Sequence, residues 1–139
     1  MASSWVATVS TPHASPAIGP YSQAVVHNDT TVFVSGILPI TASGERLGDK
    51  SFEEQARQVM RNLRAVLVAS GSSLADLLSV RVYMTDMADW GAFNAVYSSE
   101  LGESKPARAV VPIAPSLPSG LKLELEAVAA VSGPIRSRL

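Results

Sequence analysis

KPARAVVPIAPSLPSGLKLELEA, residues 105–127, is the stretch on which the reading of the fold turns. It contains two strand-like runs joined by a connection of proline, serine and glycine. Residues 107–111 read as a short strand, and the two-residue period places Arg108 and Val110 on one face and Ala107, Ala109 and Val111 on the other. A guanidinium therefore shares a face with an apolar neighbour. In the second run Leu121, Leu123 and Leu125 form an apolar face and Lys122, Glu124 and Glu126 the opposite one, until residues 127–131 turn wholly apolar and suggest a strand buried on both sides. Two accounts of the charges are open. Lys122, Glu124 and Glu126 can be the wet face of an edge strand with Arg108 paired to one of them. Alternatively Arg108 forks onto a substrate carboxylate while a half-buried Glu124 handles protons or water.

Working towards the N-terminus, residues 77–85, LLSVRVYMT, alternate Val80, Val82 and Met84 against Arg81 and Tyr83 and predict another strand. Residues 89–102, DWGAFNAVYSSELG, predict a helix with Asp89 as cap, an apolar face of Trp90, Phe93, Val96, Tyr97 and Leu101, and Gly102 as stop. Asn94 lies at the margin of that face, where a buried amide must find partners. SFEE at residues 51–54 is a capping box, so a helix starts there. Phe52, Ala56, Val59, Met60, Leu63, Val66 and Leu67 recur at helical spacing, Glu53 and Arg57 can pair across one turn, and Gly71 supplies the stop.

Before that helix, residues 21–27 and 31–38 are β-rich runs separated by Asn28 and Asp29, which tolerate the left-handed conformation of a hairpin turn. The Asn28-Asp29-Thr30 sequon reads as turn chemistry. Gly36, inside the second run, marks a bulge, a sheet-packing position, or a close approach by another backbone or a ligand. Residues 4–9, SWVATV, suggest a further short strand, and the proline-rich TPHASPAIGP after it must be irregular. The order β, β, β, α, β, α, β, β predicts an α+β fold: a mixed six-stranded sheet with two helices packed on one face, in a single domain spanning residues 1–139. One helical layer leaves the other sheet face bare, and apolar runs such as VVPIA and AVAAV ask for cover there, so self-association is expected.

Composition excludes several chemistries. The chain has 139 residues, 12 acidic and 11 basic, for a formal charge of −1, without a basic run that would track a phosphate backbone; nucleic acid is not an expected partner. Cysteine is absent, which removes disulfides, thiolate nucleophiles and cysteine zinc sites. His13 and His27 lack helical metal-site spacing, so no metal is expected. No G-x-S-x-G elbow and no phosphate-binding glycine pattern occurs. The N-terminal residues lack a basic segment and long apolar core, and no run spans a bilayer; a soluble cytoplasmic protein without a membrane partner is expected.

Several landmarks fall in order: IGPYSQA at 18–24, Ser35-Gly36 with Pro39, Asn94, PAR at 106–108, and Leu117-Pro118 leading to KLELEA at 122–127. On these the chain resembles the Rid (YjgF) family of reactive intermediate deaminases over nearly its whole length. The resemblance implies a chorismate-mutase-like homotrimer, its sheets facing inward and its sites in clefts between neighbouring subunits. It further implies cofactor-free hydrolysis of 2-imino and 2-enamino acids, such as 2-aminoacrylate, to 2-keto acids and ammonia. By the same resemblance Arg108 binds the substrate carboxylate, Glu124 positions the attacking water, Tyr21 stands in the cleft, and Ser35, Gly36 and Asn94 line the ligand. Two departures bear on substrate: Val110 stands where many members have cysteine, and the proline-rich connection after Arg108 is one residue longer than in the commonest members. A larger enamine acid such as 2-aminomuconate, or a non-catalytic trimer that binds 2-keto acids, are the alternatives.

Overall fold

The computed structural model describes residues 5–133. Six strands, β1 (Val6–Val9), β2 (Ala24–His27), β3 (Thr31–Ile37), β4 (Leu77–Met84), β5 (Ala107–Pro112) and β6 (Leu123–Ala130), form one sheet in the order β1-β2-β3-β6-β4-β5. All neighbours are antiparallel except β4 and β5, which makes the sheet mixed. Two helices, α1 (Phe52–Ala69) and α2 (Trp90–Leu101), pack on one side of it. The expected α+β architecture is therefore present. The strand expected from residue 4 begins at Val6, and Ser4 lies outside the described residues. No helix among them is long and apolar enough to cross a membrane.

The helix-facing side is the core. From β6 it takes Leu123, Leu125, Ala127 and Ala129, from β4 Val80, Val82 and Met84, and from α1 Val59, Met60, Leu63 and Leu67, all buried. Burial of each large aliphatic side chain contributes roughly 1.5–3 kcal/mol relative to exposure. Helix α1 opens on the capping box: Glu54 N–H donates to Ser51 Oγ, and Ser51 N–H to Glu54 Oε2. It closes at Gly71, whose φ of 77° admits the left-handed turn in which Ser72 N–H reaches back to Leu67 O at 2.8 Å.

Several expectations are corrected. Strand β6 is not an edge but the centre of the sheet, flanked by β3 and β4, so its acidic residues lie on a broad open face. Its last residues are not buried on both sides: Ala127 and Ala129 are buried, while Val128 and Ala130 keep partial exposure. Residues 21–23 are not strand, because Gln23 uses its side chain to tie the preceding loop, accepting from Thr11 N–H and donating to Thr11 O and Ser15 O. Asp89 takes the expected N-cap position of α2, but its side chain makes no capping hydrogen bond; Asp86 accepts from Ala88 N–H and caps the 3-10 turn that precedes the helix. Trp90 is 47% exposed rather than part of the buried face, which in this turn is formed by Phe93. Glu53 and Arg57 form no ion pair among the described residues; Arg64 instead pairs with Glu100 across the two helices. Asn28 and Asp29 do take left-handed φ values of 52° and 53° at the β2–β3 turn.

Candidate functional site

The residues singled out in the sequence fall into two groups, one on each side of the sheet. Side chains of paired residues share a face. Arg108 is opposite Val80, a fully buried core residue, and so emerges on the helix-covered side. Glu124 is opposite Tyr83, between buried Leu123 and Leu125, and so emerges on the open side. Within a single chain the guanidinium and the carboxylate do not meet.

The first group is built by β5 and α2. The edge strand holds Arg108 exposed, and its side chain runs over the end of the apolar face of α2. Nη1 donates to Asn94 Oδ1 at 2.8 Å, and the guanidinium carbon stands 4.9 Å from the Tyr97 ring centroid and 5.9 Å from that of Phe93. Tyr97 lies one turn from both Phe93 and Asn94, which gathers an amide acceptor and two π faces beneath one cation. The expected alternative, Arg108 paired with an acidic residue of the last strand, does not occur: Glu126 takes Tyr83 Oη–H at 2.6 Å and lies 3.8 Å from Arg81 Nη1. Apart from Asn94, the guanidinium has no hydrogen-bond partner among the described residues. Beside it opens a hollow of about 410 Å³ lined by Trp90, Asn94, Tyr97, Lys105, Pro106 and Arg108.

The second group surrounds Gly36. The β3–β6 register shifts between Val34 and Ile37, and Glu124 lays its carboxyl over the bulge; a Cβ on Gly36 would overlap Glu124 Oε1. The close approach anticipated at this glycine is thus made by a side chain of the same protein. Ser35 Oγ–H donates to Ser22 O, which pins the segment carrying Tyr21, and Tyr21 Oη accepts from Ile18 N–H. Tyr21, Ser35 and Gly36 line one small recess. Burial, and secondarily the neighbouring Glu126, raise the pKa of Glu124 above the ordinary glutamate value. Its proton is therefore exchanged closer to neutrality than that of a free glutamate.

Other features support these groups or stand apart. Gln55 and Asn62, buried in the stripe of α1, bind Lys122 N–H, Lys50 O, Ile40 O and Ser15 N–H, and so fix the loops that flank the Tyr21 side. The sequence reading passed over them, although two amides seven residues apart on an apolar face were a visible signal. It also took Tyr97 only as core. A hollow of about 790 Å³ between Thr11–His13 and the outer face of α1 is lined by neither Arg108 nor Glu124. No cluster of three or more His, Asp or Glu suited to a metal occurs among the described residues.

The family model described as Endoribonuclease L-PSP matches residues 11–131. A mouse protein named 2-iminobutanoate/2-iminopropanoate deaminase is 39% identical over 126 residues, 91% of each chain. Among solved structures, yeast Mmf1 superposes with a TM-score of 0.86 at 38% identity, over 91% of this chain and 99% of that one. TdcF of E. coli, solved with bound serine, superposes with a TM-score of 0.83 at 36% identity, over 91% and 99% of the two chains.

Proposed function

The chain belongs to the Rid (YjgF) family, and from that premise we propose that it hydrolyses 2-imino and 2-enamino acids, 2-aminoacrylate among them, to 2-keto acids and ammonia. The observation that carries the reading is the state of Arg108. Its guanidinium is held by an amide and two rings, has no carboxylate partner among the described residues, and faces a hollow. Such a group suits bidentate capture of a substrate carboxylate. The serine found in the relative TdcF carries the same carboxylate group, which supports this choice of ligand class.

The site forms between copies of the chain, in a homotrimer. Arg108 and Asn94 of one copy face Glu124, Tyr21, Ser35 and Gly36 of a neighbour, since one chain alone holds the two groups on opposite sides of its sheet. The open face supports such an assembly, with Phe33 50% exposed and Leu78 52% exposed. With the carboxylate gripped, the enamine takes a proton at its terminal carbon, which gives an iminium with the C–C double bond moved to C–N. Water, aligned by Glu124, adds to the iminium carbon as Glu124 accepts a proton, so a C–O bond forms and the C–N bond becomes single. The nitrogen is protonated, the C–N bond breaks, and the hydroxyl gives up its proton as the keto acid and ammonia leave. Tyr21 and the backbone around Ser35 and Gly36 relay protons between these steps. The proposal sets the reaction in the cytoplasm, which cell fractionation against organellar markers tests.

The hollow of about 410 Å³ beside Arg108 favours a second reading, a larger enamine acid such as 2-aminomuconate. Release of ammonia and keto acid from 2-aminoacrylate and from 2-aminomuconate, both generated in place, ranks the two by kcat/KM. Loss of turnover in Arg108→Ala with the assembly retained is the expected result. Turnover undiminished in that variant contradicts the mechanism, and absence of turnover on every enamine while 2-keto acids bind makes the protein a non-catalytic binder.

A further inference from the structure

We infer that Tyr97 is a positioning residue: the face of its ring, not its hydroxyl, supports the guanidinium of Arg108 and holds it in the orientation that takes the substrate carboxylate. This rests on the reading of Arg108 proposed above and extends it to a residue outside the set that the sequence singled out.

Tyr97 lies one turn beyond Asn94 and Phe93 on α2 and is only 8% exposed. Its ring meets that of Phe93 edge to face, with centroids 5.3 Å apart and planes at 61°. That contact accounts for a core aromatic and nothing more. The guanidinium of Arg108 adds something a core role does not require, because its carbon stands over the Tyr97 ring at 4.9 Å, a full ångström nearer than to Phe93. Asn94 Oδ1 fixes one edge of the guanidinium plane through Nη1, and the ring fixes the face. A planar cation held by an edge and a face keeps little freedom to swing, and its other donors are left for an incoming anion.

The hydroxyl plays no part in this support. Tyr97 Oη is buried without a hydrogen-bond partner among the described residues. Burial also raises its pKa, so it stays protonated and neutral beneath the cation, whose own charge works the other way without prevailing. A phenylalanine would give the same apolar ring face without an unpartnered buried polar atom. The ring and the hydroxyl therefore make separable predictions at one position.

The test compares Tyr97→Phe, Tyr97→Leu and Tyr97→Met in steady-state deamination, with melting temperature and assembly state measured for each. Tyr97→Phe is expected to keep KM within about twofold of the parent and to melt at the same or a higher temperature. Tyr97→Leu and Tyr97→Met, which lack a π face, are expected to raise KM about tenfold while kcat changes by less than about threefold, because the water-activating group lies elsewhere. The inhibition constant of the keto-acid product should rise in parallel with KM. An unchanged KM in Leu and Met variants that fold overturns the inference, and so does a tenfold rise in Tyr97→Phe, which remains decisive if the smaller side chains prevent folding. Arg108→Ala, run alongside, separates the two claims. If it abolishes turnover while the Tyr97 series is flat, only the role of Tyr97 fails; if it leaves turnover intact, the reading of Arg108 fails with it.

Discussion

The two sides of the sheet handle charge in opposite ways. On the helix side Arg108 lies exposed over two aromatic rings with a single amide acceptor, an arrangement that keeps a permanent cation in place. On the open side Glu124 is half-buried over a glycine, next to another carboxylate, where its proton is held more tightly than in water. One environment is suited to gripping an anion and the other to moving protons. Arg108 and Glu124 lie on opposite faces of one sheet, so the function proposed above requires a second copy to bring the two faces together.

The comparison is most easily broken at the cation. Arg108→Ala should lower kcat/KM about a thousandfold, since it removes the charge-assisted bidentate contact proposed for the substrate carboxylate. The loss should persist at saturating enamine only in so far as the carboxylate also orients the reacting carbon. A loss below tenfold would mean that another group holds the substrate.

Glu124→Gln should act differently, by lowering kcat about a hundredfold with KM little changed. It should also abolish the acid limb of the pH–kcat profile. In the parent protein that limb should lie above the ordinary glutamate range, because burial raises the pKa of the group that must be ionised to receive a proton from water. A limb that survives the substitution would assign the titration elsewhere.

Gly36→Ala sharpens the geometry. The new methyl group would collide with the far end of the Glu124 side chain rather than with backbone, so the carboxyl should swing aside while the fold persists. Rate should fall about 10- to 100-fold with the melting temperature nearly unchanged, as expected for a displaced catalytic group. The smallest effect concerns stability. A carboxyl whose folded-state pKa is raised contributes stability below its unfolded pKa and loses it as pH rises through the folded value. Glu124→Gln should therefore melt a degree or two higher than the parent near neutral pH, with the difference closing below about pH 4.

Much of this architecture was legible locally. The capping box at Ser51, the helical stripe that follows it, the left-handed pair Asn28 and Asp29, and the alternation of Leu123, Glu124 and Leu125 are each encoded within a few residues. Strand order was not, because it depends on pairings between distant segments; that is why the last strand read as an edge when it is the centre. The 3-10 turn before α2 was likewise not legible: it carries the side-chain cap at Asp86, while Asp89 holds the N-cap position without a side-chain bond and Trp90 stays exposed. Parity drew attention to Arg108 and Glu124, and it is sound within β5 and β6; Tyr21, Ser35 and Asn94 entered as site residues through the family resemblance alone. What parity cannot supply is the relation between strands, and only the β4 register places Arg108 and Glu124 on opposite sides. Tyr97 was missed because its apolar period explains it fully until β5 is seen lying beside α2.

The central claim is that a working site takes Arg108 from one copy and Glu124 from another, and mixing inactive variants tests it most directly. Arg108→Ala and Glu124→Gln protein, each expected to keep about 1% or less of the parent kcat/KM when assayed alone at subsaturating enamine, are dissociated, combined in equal amounts and allowed to reassemble. Sites drawn at random from the two variants should recover about a quarter of the parent turnover, because that share pairs an intact Arg108 with an intact Glu124. Recovery of none, with mixed assemblies shown to be present, would contradict the account and return both residues to a single chain.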